Sequence, residues 1–270
     1  MLIHQGKAIT RPFKQPSIRS RRTTRIGSAF TSNEAHTGEG KRKTSVIWGD
    51  YDSIATSATF TSQADNIVVK SITFINSYNY APNGTNNPMR AAVAATIEGD
   101  KSVFYRCGFV GLQDTLWDVQ GRHYFKLCTI VGAVDFIFGS GQSLYERCTI
   151  SVTARALNGA PGYITAQGRS SPTEPNGFVF KDCNIVGHGK TYLGRPWRDF
   201  ARVVFYNTSM YQLSYAEYNC HGLGANTSRR VKWANNMSNT MLSKFATMSF
   251  IDDEGWIKYG KLKMLVPLLM

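Results

Sequence analysis

Two neighbouring stretches decide the fold of this chain, RHYFKLCTI at residues 122–130 and QSLYERCTI at residues 142–150. Each is rich in aromatic and apolar residues, follows a glycine and ends in Cys-Thr-Ile. Short runs of this kind between turn residues are typical of β-strands. Because the nine-residue pattern returns after 20 residues, the sequence predicts a repeating β unit.

The repeat extends in both directions from these two stretches. Four further segments share the pattern: NIVVKSITF at 66–74, KSVFYRCGF at 101–109, GFVFKDCNI at 177–185 and RVVFYNTSM at 202–210. Their seventh position, with that of the first two, is held by Ile72, Cys107, Cys128, Cys148, Cys183 and Thr208. A unit of about 20 residues cannot bury its own apolar face and must stack on its neighbours. We therefore expect an all-β fold, a single parallel β-helix whose four repeat cysteines point inward and stay unpaired.

Charge and length suggest how the chain is divided. It has 270 residues and a net charge of +13, and residues 1–43 hold ten Lys or Arg against two Glu. We expect residues 1–39 to be a basic, disordered or atypical segment, residues 40–257 to form one domain, shortened after Met210, and residues 258–270 to be a tail. The basic segment could be read as a nucleic-acid arm or a transit peptide; a segment without its own function is the interpretation that we favour.

Several classes of protein are disfavoured by what the sequence lacks. No apolar run approaches the roughly 18 to 20 residues of a membrane span, and the opening residues MLIHQGKAITRPF lack the apolar segment of a signal peptide. The five histidines form no HExxH cluster and the cysteines no CxxC pair. GSGQS at 139–143 precedes a strand rather than a helix, which disfavours a phosphate site. We expect no metal and no cofactor.

Two aspartates occupy one phase of the repeat. Asp114 follows Cys107 by seven residues, and Asp135 follows Cys128 by seven residues. Since strands of a sheet lie about 4.8 Å apart, the repeat should place both carboxylates close together, so that one pKa rises and the other stays low. Such a pair supplies a proton donor and an anionic nucleophile or base; the alternative is two aspartates that cap turns. Arg155 has the same offset from the next cysteine, so the phase need not persist across loops.

Four sequence blocks, taken in order, resemble the signature blocks of the pectinesterases (pectin methylesterases), most closely the plant branch. They are GLQDTLWD at 111–118, VDFIFGSGQ at 134–142, YITAQGR at 163–169 and YLGRPW at 192–197. The similarity runs from about Gly40 to Trp233 and resumes at FIDDEGWI, residues 250–257. The resemblance implies a right-handed parallel β-helix and hydrolysis of galacturonate methyl esters without metal or cofactor.

The same resemblance implies roles for individual residues. Asp135 would be the nucleophile, and Asp114 the general acid that protonates methanol and then the base that activates water. Arg195 would orient the Asp135 carboxylate, and Gln113 would donate its amide to the oxyanion. The residues expected to bind substrate are Trp197, as an aromatic floor, with Val134 and Phe138 lining the cleft.

Three departures from the family pattern stand out. Ala91 opens the block AAVAATIEGD where family members begin Gln-Ala-Val-Ala-Leu, so a second oxyanion donor is missing. FYNTSMYQLSYAEYNCHG, residues 205–222, passes directly between strands where family members carry an additional segment. Residues 1–38 do not resemble the first turns of the family's helix.

The leading hypothesis is a carboxylic ester hydrolase that removes methyl esters from pectin (homogalacturonan), giving pectate and methanol. The alternatives are a catalytically impaired homologue that binds wall polyuronate and a β-helical polyuronate lyase or hydrolase. By resemblance we expect secretion to the cell wall, a proteinaceous pectinesterase inhibitor as a partner and a monomer, with neither nucleic acid nor membrane as partner. Four sequons, at Asn83, Asn207, Asn226 and Asn236, are compatible with secretion.

Overall fold

The computed structural model describes residues 35–80, 87–210, 217–218, 220–221 and 238–259. Four predictions fall wholly or mainly outside these residues: the basic segment up to position 34, the shortened region after Met210, the tail from position 260, and the sequons at Asn83, Asn226 and Asn236. The domain boundaries therefore stay predictions.

Most of the described chain consists of short β-strands. In chain order they are β1 Ala35–Thr37, β2 Ser45–Trp48, β3 Phe60–Ser62, β4 Val68–Lys70, β5 Thr73–Asn76, β6 Ala95–Ile97, β7 Ser102–Tyr105, β8 Gly108–Val110, β9 Leu116–Asp118, β10 Arg122–Lys126, β11 Thr129–Gly132, β12 Val134–Gly139, β13 Gln142–Glu146, β14 Thr149–Val152, β15 Gly162–Gln167, β16 Gly177–Lys181, β17 Asn184–Gly187, β18 Thr191–Pro196, β19 Val203–Tyr206, β20 Ser209–Met210 and β21 Glu217–Tyr218.

The strands form three parallel sheets, and each turn of the chain adds one strand to each sheet. Sheet A has the order β1-β4-β7-β10-β13-β16-β19-β21, sheet B the order β2-β5-β8-β11-β14-β17-β20, and sheet C the order β3-β6-β9-β12-β15-β18. Successive strands of a sheet come from successive turns, which confirms the predicted parallel β-helix.

A sharp corner joins sheet A to sheet B in every repeat. Arg106, Leu127 and Arg147 at this corner have φ values of 53°, 55° and 51°, in the left-handed region. The corner turns the next residue, a cysteine in each of these repeats, into the core. Cys128, for example, is buried and its thiol donates to the Phe104 carbonyl of the preceding turn at 3.3 Å.

The four repeat cysteines are buried and free, which confirms the inward, unpaired ladder. Thr208 holds the same phase one turn later and donates its hydroxyl to the Phe180 carbonyl at 3.3 Å. Small side chains with one hydrogen-bond donor therefore suit this position, because they fill little space and donate to a backbone carbonyl of the preceding turn.

An aromatic stack runs through the core beside the cysteines. Its members, one on each successive strand of sheet A, are Phe104, Phe125, Tyr145, Phe180 and Phe205, with centroid separations of 5.1, 4.6, 4.6 and 4.7 Å. The separations follow the spacing of strands in a sheet, so each ring lies on its neighbour and the stack fixes the register of the turns.

A buried polar network accounts for the glycines of GSGQS. Asp118 Oδ1 lies 2.6 Å from His123 Nδ1, and the Tyr145 hydroxyl donates to Asp118 Oδ2 at 2.6 Å. A Cβ at Gly141 would lie only 2.0 Å from Asp118 Oδ1. The glycine leaves room for the network at the end of β9, so Gly141 has a packing role here.

Two short helices cover the outer face of sheet A. They are α1 Asn239–Phe245 and α2 Trp256–Tyr259, and 3₁₀ turns occur at Ala154–Leu157 and Met248–Phe250. Phe245 and Trp256 pack with Val103, Tyr124 and Leu144 of the sheet. Among the described residues, none of the helices is long and apolar enough to cross a membrane.

Candidate active site

Asp114 and Asp135 lie on consecutive turns at the corner between sheets B and C. The backbone N–H of Asp114 donates to the Val134 carbonyl at 3.1 Å, which places the two aspartates side by side, as the common offset predicts. Both have left-handed backbones, with φ of 58° and 46°. The register between β12 and β15 also shifts between Val134 and Ile137, so Asp135 sits in an irregularity that re-aims its side chain.

The two carboxylates have different surroundings. Arg195 donates from Nε to Asp135 Oδ1 at 2.9 Å and to Oδ2 at 3.1 Å, and its terminal nitrogen also donates to Oδ2. Burial, followed by the charge of Asp135, raises the pKa of Asp114 to about 7, although the charge of Arg195 acts in the opposite direction. Asp135 is thus bound by a guanidinium, whereas Asp114 stays protonated up to about neutral pH.

Arg195 reaches Asp135 from two turns away. It lies on β18, in register with Ala166 of β15, which pairs in turn with Phe138 of β12. The Tyr163 ring packs against its guanidinium, with Cζ 4.7 Å from the ring centroid. The sequence analysis does not single out Tyr163. Its position as the first residue of the block YITAQGR is the feature of the sequence that could have indicated it.

Gln113 and Ala91 are neighbours beside the aspartates. Gln113 forms a bridge with Val134, and its side-chain amide makes no hydrogen bond within the described part of the chain. The N–H of Ala92 donates to the Gln113 carbonyl at 3.2 Å, so half-buried Ala91 lies one turn away from Gln113. The amide is therefore available to a ligand, and alanine adds no second side-chain donor.

Aromatic rings form a surface next to the carboxylates. Trp117 stacks on Phe138 at 5.6 Å, and Phe138 lies 6.0 Å from Trp197. Trp197 is 45% exposed, whereas Phe138 is buried between the two tryptophans. A Cβ at Gly168 would lie 2.9 Å from the Trp197 ring, so glycine is needed for the ring to lie here. Trp117 is a further aromatic that our sequence analysis did not single out.

The turn after Asp135 has no aspartate at the equivalent position, which is occupied by Arg155. Arg155 lies in the 3₁₀ turn Ala154–Leu157 and is exposed, because the chain leaves the repeat between β14 and β15. Among the described residues, no group of three or more His, Cys, Asp or Glu could hold a metal ion.

Residues 29–213 match the protein-family model described as Pectinesterase. The chain belongs to the pectinesterase family. A curated relative, probable pectinesterase 29 of Arabidopsis thaliana, is 51% identical over 242 residues, covering 82% of this chain and 72% of the relative. The match spans all four blocks that carried the resemblance.

Solved structures support the same family fold. The pectin methylesterase from carrot superposes with a TM-score of 0.71 at 26% identity, covering 84% of each chain. A pectin methylesterase solved in complex with a hexasaccharide gives a TM-score of 0.69 at 21% identity, covering 80% of this chain and 81% of that one. The fold is the right-handed parallel β-helix of the pectinesterases.

Proposed function

We propose that this protein is a carboxylic ester hydrolase that removes methyl esters from pectin, giving pectate and methanol. The observation that carries the proposal is the unequal aspartate pair: Arg195 binds Asp135, and Asp114 has a pKa raised to about 7. Ester hydrolysis through a carboxylate nucleophile needs one ionised and one protonated carboxyl group, since the first attacks and the second protonates the leaving alkoxide.

In the first half of the reaction, Asp135 attacks the carbonyl carbon of the methyl ester. Arg195 orients the carboxylate through hydrogen bonds from Nε and a terminal nitrogen, and the Gln113 amide donates to the oxyanion that forms. The tetrahedral intermediate collapses, the bond to the methoxy oxygen breaks, and Asp114 gives its proton to that oxygen. Methanol leaves, and an anhydride joins Asp135 to the uronate.

In the second half, Asp114 is ionised and acts as the base. It takes a proton from a water molecule, whose oxygen attacks the uronate carbonyl of the anhydride. The bond to the Asp135 oxygen breaks, which restores the Asp135 carboxylate and frees the uronic acid, whose carboxyl group then loses the second water proton to solvent. Asp114 retains the proton for the next cycle.

The surface around the pair suits a chain of sugar rings. Exposed Trp197 offers an apolar face, and the Arg198 guanidinium lies over it at 5.5 Å. Trp197, Val134 and Phe138 are our proposed substrate-binding residues. Family membership does not favour the impaired, binding-only homologue or the polyuronate lyase or hydrolase.

The test is methanol release from highly methylated pectin together with the length of the polymer. The proposal expects methanol without chain shortening and without unsaturated chain ends. Shortened or unsaturated chains in place of methanol would indicate a hydrolase or a lyase, and binding without any product would indicate the impaired homologue. Polymer incubated with the Asp135→Asn variant is the matched control.

Cell-wall pectin as substrate also supports our proposal of an extracellular location in the wall. The proteinaceous inhibitor and the monomeric state stay predictions. A pull-down with a pectinesterase inhibitor and light scattering of the purified protein test them separately.

A further inference from the structure

Cations follow one another along the corner between sheets A and B, on a different edge of the β-helix from the aspartates. Five consecutive turns each contribute one Lys or Arg, either as the last residue of the sheet A strand or as the corner residue after it. We call these residues the corner stripe: Lys70, Arg106, Lys126, Arg147 and Lys181.

Backbone contacts show that the turns of the corner stripe are stacked directly. The N–H of Arg106 donates to the Lys126 carbonyl, and that of Arg147 to the Lys181 carbonyl, each at 2.9 Å. Lys70 is in register with Tyr105, the residue before Arg106. Strands about 4.8 Å apart thus set the separation of the turns. Along this edge Arg106 and Arg147 are exposed and Lys70 and Lys181 are half-buried, whereas Lys126 is buried.

Most of this charge is not neutralised by the residues that the structure describes. Lys126 lies 3.7 Å from Glu146, and the other four cations form no ion pair with any residue that the structure describes. The Arg106 guanidinium lies over the Tyr105 ring at 5.2 Å, and Arg106 and Arg147 are exposed.

Around the corner between sheets A and B, the positively charged side chains named here outnumber the acidic ones. The acids here are Glu146, which also accepts from Tyr124, and Asp182, which accepts from the amide of Asn207. Lys41 adds a further cation, because its Nζ donates to the Leu127 carbonyl at 3.1 Å and to Thr129 Oγ1 at 2.8 Å.

This surplus is unfavourable for the fold by itself. Burial and the charges of Arg147 and Lys181 lower the pKa of Lys126, despite the opposing effect of Glu146. Glu146 lies in register between Lys126 and Lys181 and offsets part of the repulsion. The cations named at this corner still outnumber the acids, and the repulsion that remains is unfavourable. An anionic ligand along the edge would relieve it.

We propose that the corner stripe binds a de-esterified stretch of the pectin chain, the acidic product of the proposed function. A stretch of pectate carries a carboxylate on every sugar and is a narrow linear polyanion. It fits the accessible cations of the corner stripe, which are the exposed Arg106 and Arg147 and the half-buried Lys70 and Lys181. The methylated polymer carries no charge at its esterified carboxyl groups, so it cannot form ion pairs with the corner stripe. The corner stripe would keep the enzyme on polymer that it has already processed, while the aspartates act on esters.

A broad polyanion such as duplex nucleic acid suits this edge less well. The outer face of sheet A beside the corner stripe is covered by the C-terminal helices. The segment that joins them carries Asp252, Asp253 and Glu254, of which the last two are exposed. Glu254 pairs there with Lys101 and Arg122, and Asp253 with Arg122, so this face adds no surplus positive charge for a wide anionic ligand.

Equilibrium binding to fully de-esterified polygalacturonate, at several salt concentrations, tests the proposal without requiring catalysis. The variant is Arg106→Gln/Arg147→Gln, and the control is Lys244→Glu on the exposed side of α1, which lowers the net charge by the same two units. We expect the double variant to bind roughly fivefold more weakly, with a log–log salt slope shallower by about 1.5, since two cations are removed. The control should bind like the wild type.

Equal weakening in the control, or unchanged binding in the double variant, would overturn the proposal. So would tighter binding of the wild type to duplex DNA than to polygalacturonate, or equal binding to fully methylated polymer. Methanol release from a short, fully methylated oligomer is measured in parallel and should be the same in the double variant and the wild type. If the wild type releases none, the proposed function fails; if it does and the binding result is negative, only the corner stripe proposal fails.

Discussion

Arg195 binds both carboxylate oxygens of Asp135, with Nε–O distances of 2.9 and 3.1 Å. Asp114, on the preceding turn, forms no such pair among the described residues. A single guanidinium therefore distinguishes two chemically identical side chains and assigns the anionic role to one of them. The assignment of roles in the proposed mechanism depends on this asymmetry.

Substitution of either member of this pair should abolish nearly all methanol release. Asp135→Asn removes the nucleophile, and Arg195→Ala removes the charge that orients it, so we expect losses of at least about a thousandfold in kcat. Arg195 is exposed and Asp135 is buried beside it, so circular dichroism of both variants is the check that the fold is retained. An Asp135→Asn protein that retained a large share of the turnover would contradict the nucleophile assignment.

The raised pKa of Asp114 predicts how stability changes with pH. The carboxyl titrates near 3.8 in the unfolded chain and near 7 in the fold, so the protonated form is favoured by folding. The contribution of Asp114 is therefore most favourable below pH 4, falls as pH rises and is fully unfavourable above pH 7. Asp114→Asn should melt about 3 °C or more above the wild type at pH 8, and the difference should shrink towards pH 4.

Thermal unfolding of both proteins across this pH range is the measurement. The comparison isolates Asp114, because every other titrating group is common to the two chains. A constant difference between them at all pH values would mean that Asp114 does not titrate in this range. The variant should also lose most of its esterase activity, since asparagine cannot donate the proton to methanol.

Tyr163 should act as a positioning residue for Arg195. Its ring lies under the guanidinium at 4.7 Å, and a cation over an aromatic face is worth about 0.5 to 1 kcal/mol at an exposed site. Tyr163→Leu should therefore reduce kcat by about threefold to fivefold, whereas Tyr163→Phe retains the ring and should restore it.

Tyr192 provides the control for this effect. Its ring stacks on Tyr163 at 5.4 Å, and the cation contact of Arg195 is with Tyr163. If the two tyrosines served only as a platform for sugar rings, Tyr192→Leu and Tyr163→Leu would both raise KM and leave kcat unchanged. That outcome would exclude the positioning role.

The parts of the structure that could be predicted from the sequence are those governed by the intact repeat. Cys107 and Cys128 fix the phase of two neighbouring turns, and the turns between them carry no insertion, so the adjacency of Asp114 and Asp135 follows from counting. Arg195 lies 60 residues from Asp135, beyond two loops of irregular length. No periodicity could place it, and only the family resemblance brought it to the site.

The contact of Tyr163 with Arg195 and the two short helices could not be predicted from the sequence. The contact of Tyr163 with Arg195 depends on the path of β15, and an aromatic residue at the start of a strand is ordinary. The helices α1 and α2 span seven and four residues, too few for a helical period to be recognised. Their place on sheet A is set by packing of Phe245 and Trp256 against the sheet.

Ala91 gives the prediction that combines sequence and structure most directly. It lies next to Gln113 through the bond from the Ala92 N–H to the Gln113 carbonyl, at the position where the family pattern has a second amide. Loss of one oxyanion donor costs about 10² to 10³ in turnover. Ala91→Gln should accordingly raise kcat on methylated pectin by about tenfold or more. KM should change less than kcat, because the donor acts on charge that develops only near the transition state.

The comparison with Gln113 makes this test sharper. Gln113→Ala should lower kcat of the present chain by about a hundredfold, because it removes the remaining side-chain donor, and the loss should be smaller in a chain that already carries Ala91→Gln. The four proteins form a double-mutant cycle that reports whether the two amides act on the same oxyanion. A folded Ala91→Gln protein with unchanged or lower kcat would show that this chain completes its oxyanion site in another way, and strictly additive effects would place the two amides on different groups.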